Sequence, residues 1–248
     1  MFTIAVCDDN PSFAKILAQR IRTLCAHQLS EVVECTIRTE FGSAQEVLTY
    51  LQTNPLNVLF LDIDMPGMNG FELAQKLNEA YPDVLIVFVS AYDEFVYSSF
   101  EYAPFRFLRK SHLNQELPDT VQKIIAKCLS DNQTLTFSTT EGDVILRVKD
   151  ICYVEGERNY FTVHTRSREA YRCRGTISAA AEMFEAFHDF YRIHVSFIVN
   201  MDQITRFDDI AGAGTVTISD GQQLSVSRRN MADFKKAYMA FSRRRMTR

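Results

Sequence analysis

The 248-residue chain reads as a doubly wound α/β domain with a five-stranded parallel sheet, followed by a second domain made mainly of β-strands. Three observations predict this. Over residues 1–130 short β-branched runs alternate with helical patterns, the signature of parallel strands joined by crossover helices. Past Leu129-Ser-Asp-Asn-Gln133 strand-like runs separated by turn signals take over. The length exceeds one typical domain, and 46% apolar content is ample for packed cores. The expected boundaries are 1–130, a linker over 131–133, and 134–248.

In order, the predicted strands of the first domain are TIAVC (3–7), CTIRTEF (35–41), VLFLD (58–62), VLIVFVS (84–90) and FRFL (105–108). Asn10-Pro11 marks a helix start, and Phe13, Leu17, Ile21 and Leu24 then line one helical face. Pro66, Gly67 and Gly70 make a turn before a helix around FELAQKL, which Pro82 stops. The second domain offers TLTFSTT, DVILRV, ICYVE, YFTVHT, AYRCR, FYRIHV, FIVNM, TVTIS and QLSVS, with Glu141-Gly142 and Asp220-Gly221 as hairpin markers. One helix, SAAAEMFEAF, interrupts these strands and another, NMADFKKAYMAF, follows them. Ala211-Gly-Ala-Gly214 reads as a flexible hairpin connection rather than a dinucleotide loop.

Charge divides the halves. Residues 1–130 carry 10 Lys/Arg against 16 Asp/Glu, the remainder 17 against 15, and from Arg228 onward 8 basic residues face one acidic. Asp8 and Asp9 interrupt the first apolar run and no basic segment precedes it, so no secretory signal is expected. The longest apolar run, VLIVFV, is too short for a bilayer, and six cysteines lack metal-site or disulfide spacing. A cytoplasmic protein with reduced thiols and no membrane partner is the expectation.

Parallel strands gather the residues at their carboxyl ends along one edge, where open α/β folds bind ligands. Here those residues are Asp8 and Asp9, Asp62, Ser90 and Lys110. Carboxylates converging there repel one another unless a hard cation sits among them, and Mg²⁺ is the usual oxygen-ligated choice where phosphate is handled. Asp62 can attack a phosphoryl group, Lys110 can neutralise its oxygens, and the Ser90 hydroxyl can turn toward the new phosphate.

These residues in this order, with D-x-x-M-P-G-x-x-G around Asp62 and Ser90-Ala91 after the fourth strand, resemble a response-regulator receiver domain across the first half of the chain. The resemblance implies that Asp62 is the phosphoacceptor and Asp9 a direct Mg²⁺ ligand. It makes Asp8 a ligand through water and Asp64 a ligand through its backbone carbonyl. Ser90 and Phe107 match the switch hydroxyl and switch aromatic. The family's usual Lys-Pro is here Lys110-Ser111. Asp62-x-Asp64 is also similar to the haloacid-dehalogenase phosphatases, but there the motif follows the first strand, and Met65 stands where Thr or Val is expected.

In the second half, ICYVEGERNYFTVHT, FYRIHVSFIVNMDQI and LSVSRRNMADF resemble the LytTR DNA-binding domain. That implies a mainly-β reader of double-stranded DNA that inserts loops into the major groove. The matching positions are Asn159 and Tyr160, His194, Val195 and Ser196, and Arg228 and Arg229. Val195 stands where the family usually has Arg, Asn or Lys, so this loop is not expected to read bases, and His194 or Ser196 would contact phosphate instead. An arginine at a loop tip can grip guanine edges bidentately while its neighbours neutralise phosphates. Tyr153, Phe161 and Phe197 are expected in the core, and His164 as a strand residue without chemistry. The combined expectation is a response regulator phosphorylated by a sensor histidine kinase. It would dimerise through the face of its fourth helix, fifth strand and fifth helix and bind promoter DNA, with self-phosphorylation and autodephosphorylation as its only reactions. A Mg²⁺-dependent phosphatase and a switch binding only protein partners are the alternatives.

Overall fold

The computed structural model describes residues 2–28, 35–210 and 213–246. The chain divides into two compact units, Met1–Ser130 and Asp131–Arg248. The first unit alternates β1 (Phe2–Cys7), α1 (Pro11–Gln28), β2 (Cys35–Phe41), α2 (Ala44–Leu51), β3 (Val58–Leu61) and α3 (Gly70–Ala80). It continues with β4 (Leu85–Ser90), the short α4 (Phe95–Ser99), β5 (Arg106–Arg109) and α5 (Leu113–Asp131). α5 takes in Asp131, the first residue of the expected linker, so Asn132 and Gln133 alone precede the next strand.

The five strands form one parallel sheet in the order β2-β1-β3-β4-β5. β1 and β3 are buried on both faces, as continuous apolar strands covered by helices on each side must be. One core layer packs Phe2, Ile4 and Val6 against Leu17 and Ile21 of α1 and Leu117, Val121 and Ile124 of α5. The opposite layer packs Leu59, Leu61 and Phe88 against Val47 of α2 and Leu73 and Leu77 of α3. The order reverses at β1, flanked by β2 and β3, so a crevice opens beyond the carboxyl ends of β1 and β3.

Caps fix the helices bordering that crevice. Asn10 Oδ1 accepts from the Ser12 and Phe13 N–H groups at 3.1 and 3.2 Å, starting α1 where the sequence placed it. Asn69 and Glu72 form a reciprocal capping box at the start of α3. Gly70 is required on steric grounds: a Cβ there would lie 2.3 Å from the Asp62 carbonyl oxygen. Gly67 has φ +80, which a side chain would strain.

The second unit runs β6 (Thr134–Thr139), β7 (Gly142–Arg147), β8 (Ile151–Glu157), β9 (Tyr160–Thr165) and β10 (Ala170–Arg174), then α6 (Ile177–Met183). It ends with β11 (Phe190–His194), β12 (Phe197–Asn200), β13 (Ile204–Ile210), β14 (Ala213–Ile218), β15 (Gln223–Val226) and α7 (Met231–Met246). Seven antiparallel strands form a sheet in the order β11-β12-β8-β9-β10-β6-β7, and β13-β14-β15 form a second. Phe234 of α7 is fully buried between Tyr191, Phe207 and Tyr238. Phe137, Phe161 and Phe184 fill the other core. Tyr153 and Phe161 are buried, while Phe197 packs at the edge of its cluster.

β13 was not among the strands legible in the sequence. Its residues, ITRFDDI, carry Arg206, Asp208 and Asp209 in a short stretch, and pairing with β14 imposes the extended form. Residues 211 and 212 of the expected Gly-rich connection lie outside the described residues; β13 and β14 on either side pair antiparallel.

Candidate functional site

Asp8 and Asp9 follow β1 and Asp62 follows β3, so the two parallel neighbours deliver their acids to the same end of the sheet. One carboxylate oxygen from each lies within 4.8 Å of the others. Asp8 and Asp62 are buried and Asp9 is exposed. Main-chain contacts hold them: the Asp8 N–H donates to the Phe41 carbonyl at 3.0 Å and the Asp62 N–H to the Cys7 carbonyl at 2.8 Å. Asp8 also accepts from the Asn10 N–H at 2.9 Å, tying the acid to the start of α1.

Lys110, just past β5, crosses the crevice and donates to Asp8 Oδ2 and Asp62 Oδ2, both at 2.7 Å. Its ammonium also lies 4.4 Å from the centre of the Phe13 ring. Burial draws the lysine pKa down, but the hydrogen bonds it donates to Asp62 and Asp8, and their charges, outweigh that and hold it above its ordinary value. Burial pushes the Asp62 carboxyl above the usual carboxylate range; the Lys110 hydrogen bond and charge oppose the shift, and the Asp8 charge adds to it. Neighbouring Cys7 is pushed up to about 12, chiefly by burial, so its thiol is not a nucleophile at neutral pH.

Ser90, at the end of β4, is fully buried, and its Oγ accepts from the Tyr92 N–H at 3.1 Å. Phe107 pairs in register with Phe88 and is half-buried against the α3-side core. The Asp64 N–H donates to Asp62 Oδ1 at 3.4 Å, while its own carboxylate is exposed and outside the converging group. Among the described residues every peptide bond is trans, including Lys110–Ser111. Three hard carboxylates so spaced, with a single ammonium shared between two of them, suit a small divalent cation.

In the second unit the three segments singled out in the sequence come together. β12 pairs with β8, and the Gly156 N–H donates to the Ser196 carbonyl at 2.8 Å, placing the β11–β12 turn beside the β8–β9 turn. The Ser227 N–H donates to the Ile193 carbonyl at 2.9 Å, and Asn230 Nδ2 to the Arg192 carbonyl at 3.0 Å. These bonds bring Arg228 and Arg229 to the same strand end. Asn159, Arg228 and Arg229 are exposed, Val195 is 66% exposed, and Tyr160, His194 and Ser196 are half-buried. His194 Nδ1 accepts from the Ser196 N–H at 3.2 Å, leaving Nε2 to face outward contacts.

Four arginines not singled out in the sequence belong to this end. Arg158 sits in the β8–β9 turn at φ 54. Arg174 pairs in register with Tyr160, and Arg172 stacks its guanidinium 4.5 Å from the Tyr160 ring centre. Arg192 donates to the Val195 carbonyl at 3.0 Å and to Ser178 Oγ at 3.2 Å, clamping the turn to α6. Among the described residues Arg158, Arg174, Arg228 and Arg229 form no ion pair, leaving four positive charges open to solvent. Alternate basic positions along AYRCR were the available signal, visible only once β10 is known to end beside Tyr160.

An acidic crevice bridged by a lysine on a five-stranded parallel sheet, together with a mainly-β unit carrying a cationic strand end, defines a class. Residues 4–122 match the response regulator receiver domain family and residues 141–239 the LytTr DNA-binding domain family. The chain belongs to the LytTR response regulators, two-component DNA-binding proteins that regulate transcription. It is similar to the transcriptional regulatory protein YpdB of Escherichia coli K12, 28% identical over 68% of this chain and 73% of that protein. It is also similar to the sensory transduction protein LytT of Bacillus subtilis, 28% identical over 73% and 78%. Among solved structures, a LytTr DNA-binding domain from Bacillus cereus aligns with 42% of this chain and 94% of its own at 21% identity and TM-score 0.38. The response regulator TrrA of Thermotoga maritima, in complex with Mg²⁺–BeF, aligns with 50% and 99% at 24% identity and TM-score 0.43. Among the described residues no helix is long and apolar enough to cross a membrane.

Proposed function

We propose that a sensor histidine kinase phosphorylates Asp62, and that the modified receiver domain promotes dimerisation and binding of promoter DNA by the LytTR domain. The observation that carries this reading is the convergence of Asp8, Asp9 and Asp62 around a crevice that Lys110 bridges. Asp8 and Asp9 would hold Mg²⁺ together with Asp62 and the Asp64 backbone carbonyl. When bound, the ion supplies charge neutralisation for a phosphoryl group approaching three acids.

Asp62 must act as a carboxylate although burial favours its neutral form, and Lys110 counters that burial. Its oxygen attacks phosphorus as the bond to the kinase's histidine nitrogen breaks, and that nitrogen leaves with the electron pair. Lys110 stands within reach of Asp62 Oδ2 and so of the transferring oxygens. The Ser90 hydroxyl, held at present by the Tyr92 N–H, turns to donate to the phosphoryl group. That rotation releases the β4–α4 segment and lets Phe107 move inward. Water attack on the acyl phosphate reverses the modification, and no further enzymatic turnover is required of the chain.

The output surface is the face of α4, β5 and α5, where Tyr97 and Phe100 are 85% and 70% exposed and suit a dimer contact. Two copies then occupy adjacent DNA sites with summed affinity. At each site Arg228 and Arg229 enter the groove with Asn159 and Tyr160, while His194, Ser196 and the β10 arginines meet phosphates around Val195. Mass spectrometry of the protein treated with a small phosphoryl donor and Mg²⁺ tests the reading. One phosphoryl group on Asp62, absent in Asp62→Asn, is expected; modification elsewhere, or steady turnover of the donor that persists in Asp8→Asn, contradicts it.

A further inference from the structure

The two ends of the seven-stranded sheet are finished differently. At β11 the Ser227 N–H and the Asn230 side chain bond to the strand's outer backbone, so that edge is covered. At β7 nothing comparable follows: among the described residues it pairs with β6 alone. The Val148 N–H donates to the Gln133 carbonyl at 2.8 Å, which fixes the alternation of the ladder. Leu146 and Val144 therefore aim their backbone groups at β6, and Asp143, Ile145 and Arg147 aim theirs outward. An edge of this kind is a template for another strand.

We infer that β7 pairs antiparallel with β7 of a second copy of this chain, about a two-fold axis at Ile145. In that register Asp143 of each copy faces Arg147 of the other, Val144 faces Leu146, and Ile145 faces itself. The pairs at Asp143, Ile145 and Arg147 are the hydrogen-bonded ones, matching the groups left open. Side-chain chemistry selects the register, because sliding it one step in either direction sets Ile145 against Asp143 or Arg147. The exposed face of the hairpin carries the self-complementary set: Ile145 is 68% exposed, and Asp143 and Arg147 are exposed on either side of it. Arg147 already meets Asp150 of its own chain at 2.7 Å while keeping half of its side chain in solvent, so it can reach Asp143 of the second copy as well.

The opposite face anchors the arm. Val144 and Leu146 pack with Leu135 against a core that includes Phe137. The hairpin thus presents a rigid edge, tied to β10 through the Cys173–Thr139 pair and the Thr140 N–H to Arg172 carbonyl bond at 3.1 Å. One strand pair buries far less than the roughly 1,600 Å² of a stable interface, so the contact is weak alone and gains when two copies are already held close. It goes beyond the proposed phosphoryl and DNA chemistry and is tested without either.

Ile145→Cys in the full-length chain, oxidised without DNA or phosphoryl donor, provides the test, with the wild type as background for the native cysteines. The two sulfurs would meet across the axis at a spacing a disulfide can span. Cross-linked dimer should exceed that from Met239→Cys, an exposed position away from the edge, by several-fold. Adding Asp143→Arg or Arg147→Asp should lower the yield several-fold, and combining both reversals should restore it. A yield no higher than at Met239, one indifferent to single reversal, or one the double reversal fails to restore would overturn the pairing.

Discussion

Lys110 decides the electrostatics of the crevice, because its one ammonium is shared by two buried carboxylates. Lys110→Ala leaves Asp8 and Asp62 facing each other without a cation. The expected loss is about 2 kcal/mol, below the range for a fully buried pair because a fifth of the lysine side chain meets solvent. Urea denaturation without divalent cations should show it, and added Mg²⁺ should recover part. His164 supplies a second residue-scale test. Burial, opposed by the Glu155 and Asp220 charges, lowers its pKa below 6.5; Glu155 Oε2 lies 3.6 Å from Nε2, which among the described residues is buried without a well-formed hydrogen bond, while the ring stacks on Tyr153 at 4.2 Å. The folded state therefore binds fewer protons than the unfolded one. Its contribution is fully present above about pH 6.5 and is lost as pH falls toward the lower folded value. Thermal melts over that window should show a shallower acid loss in His164→Gln; an unchanged slope would remove His164 as the cause. The acids, Ser90 and Lys110 were legible in the sequence because each ends a strand and the fold carries strand ends to one place. Arg192 was not, since its role is to hold the β11–β12 turn, and no spacing announces a turn's partner.

At the scale of elements, the β3–α3 turn is set by contact rather than preference. Gly70→Ala forces a methyl into the Asp62 carbonyl and the Ile63 Cα, and should cost about 1–3 kcal/mol in urea denaturation, with weaker phosphorylation as Asp62 is displaced. In the second unit, Phe234→Ala removes the ring joining α7 to both sheets' shared core and should cost about 3–5 kcal/mol. Strand β10 gives a binding prediction: Arg172→Ala and Arg174→Ala, set against phosphate in the proposal, should each lower the slope of log affinity against log salt by about 0.9. A loss of affinity without a change of slope would place the residue away from phosphate. The central strands β1, β3 and β4 were readable as largely apolar runs, because helices cover both of their faces. β13 was not, since it is an edge strand of a small sheet and takes its form from β14.

For the whole molecule, the two independently cored units carry chemically different surfaces: an acidic crevice and a cationic strand end that suits a polyanion. The charge asymmetry in the sequence foreshadowed this division, although the uneven totals could not say which arginines share an end. The central claim is that modification of Asp62 controls DNA affinity. Its most direct measurement is the dissociation constant of the full-length protein for its own upstream duplex, at fixed salt, with and without Mg²⁺ and beryllofluoride, in the wild type and in Asp62→Asn. Tighter binding in the treated wild type alone is the expected result; equal affinity in all four samples would contradict the account.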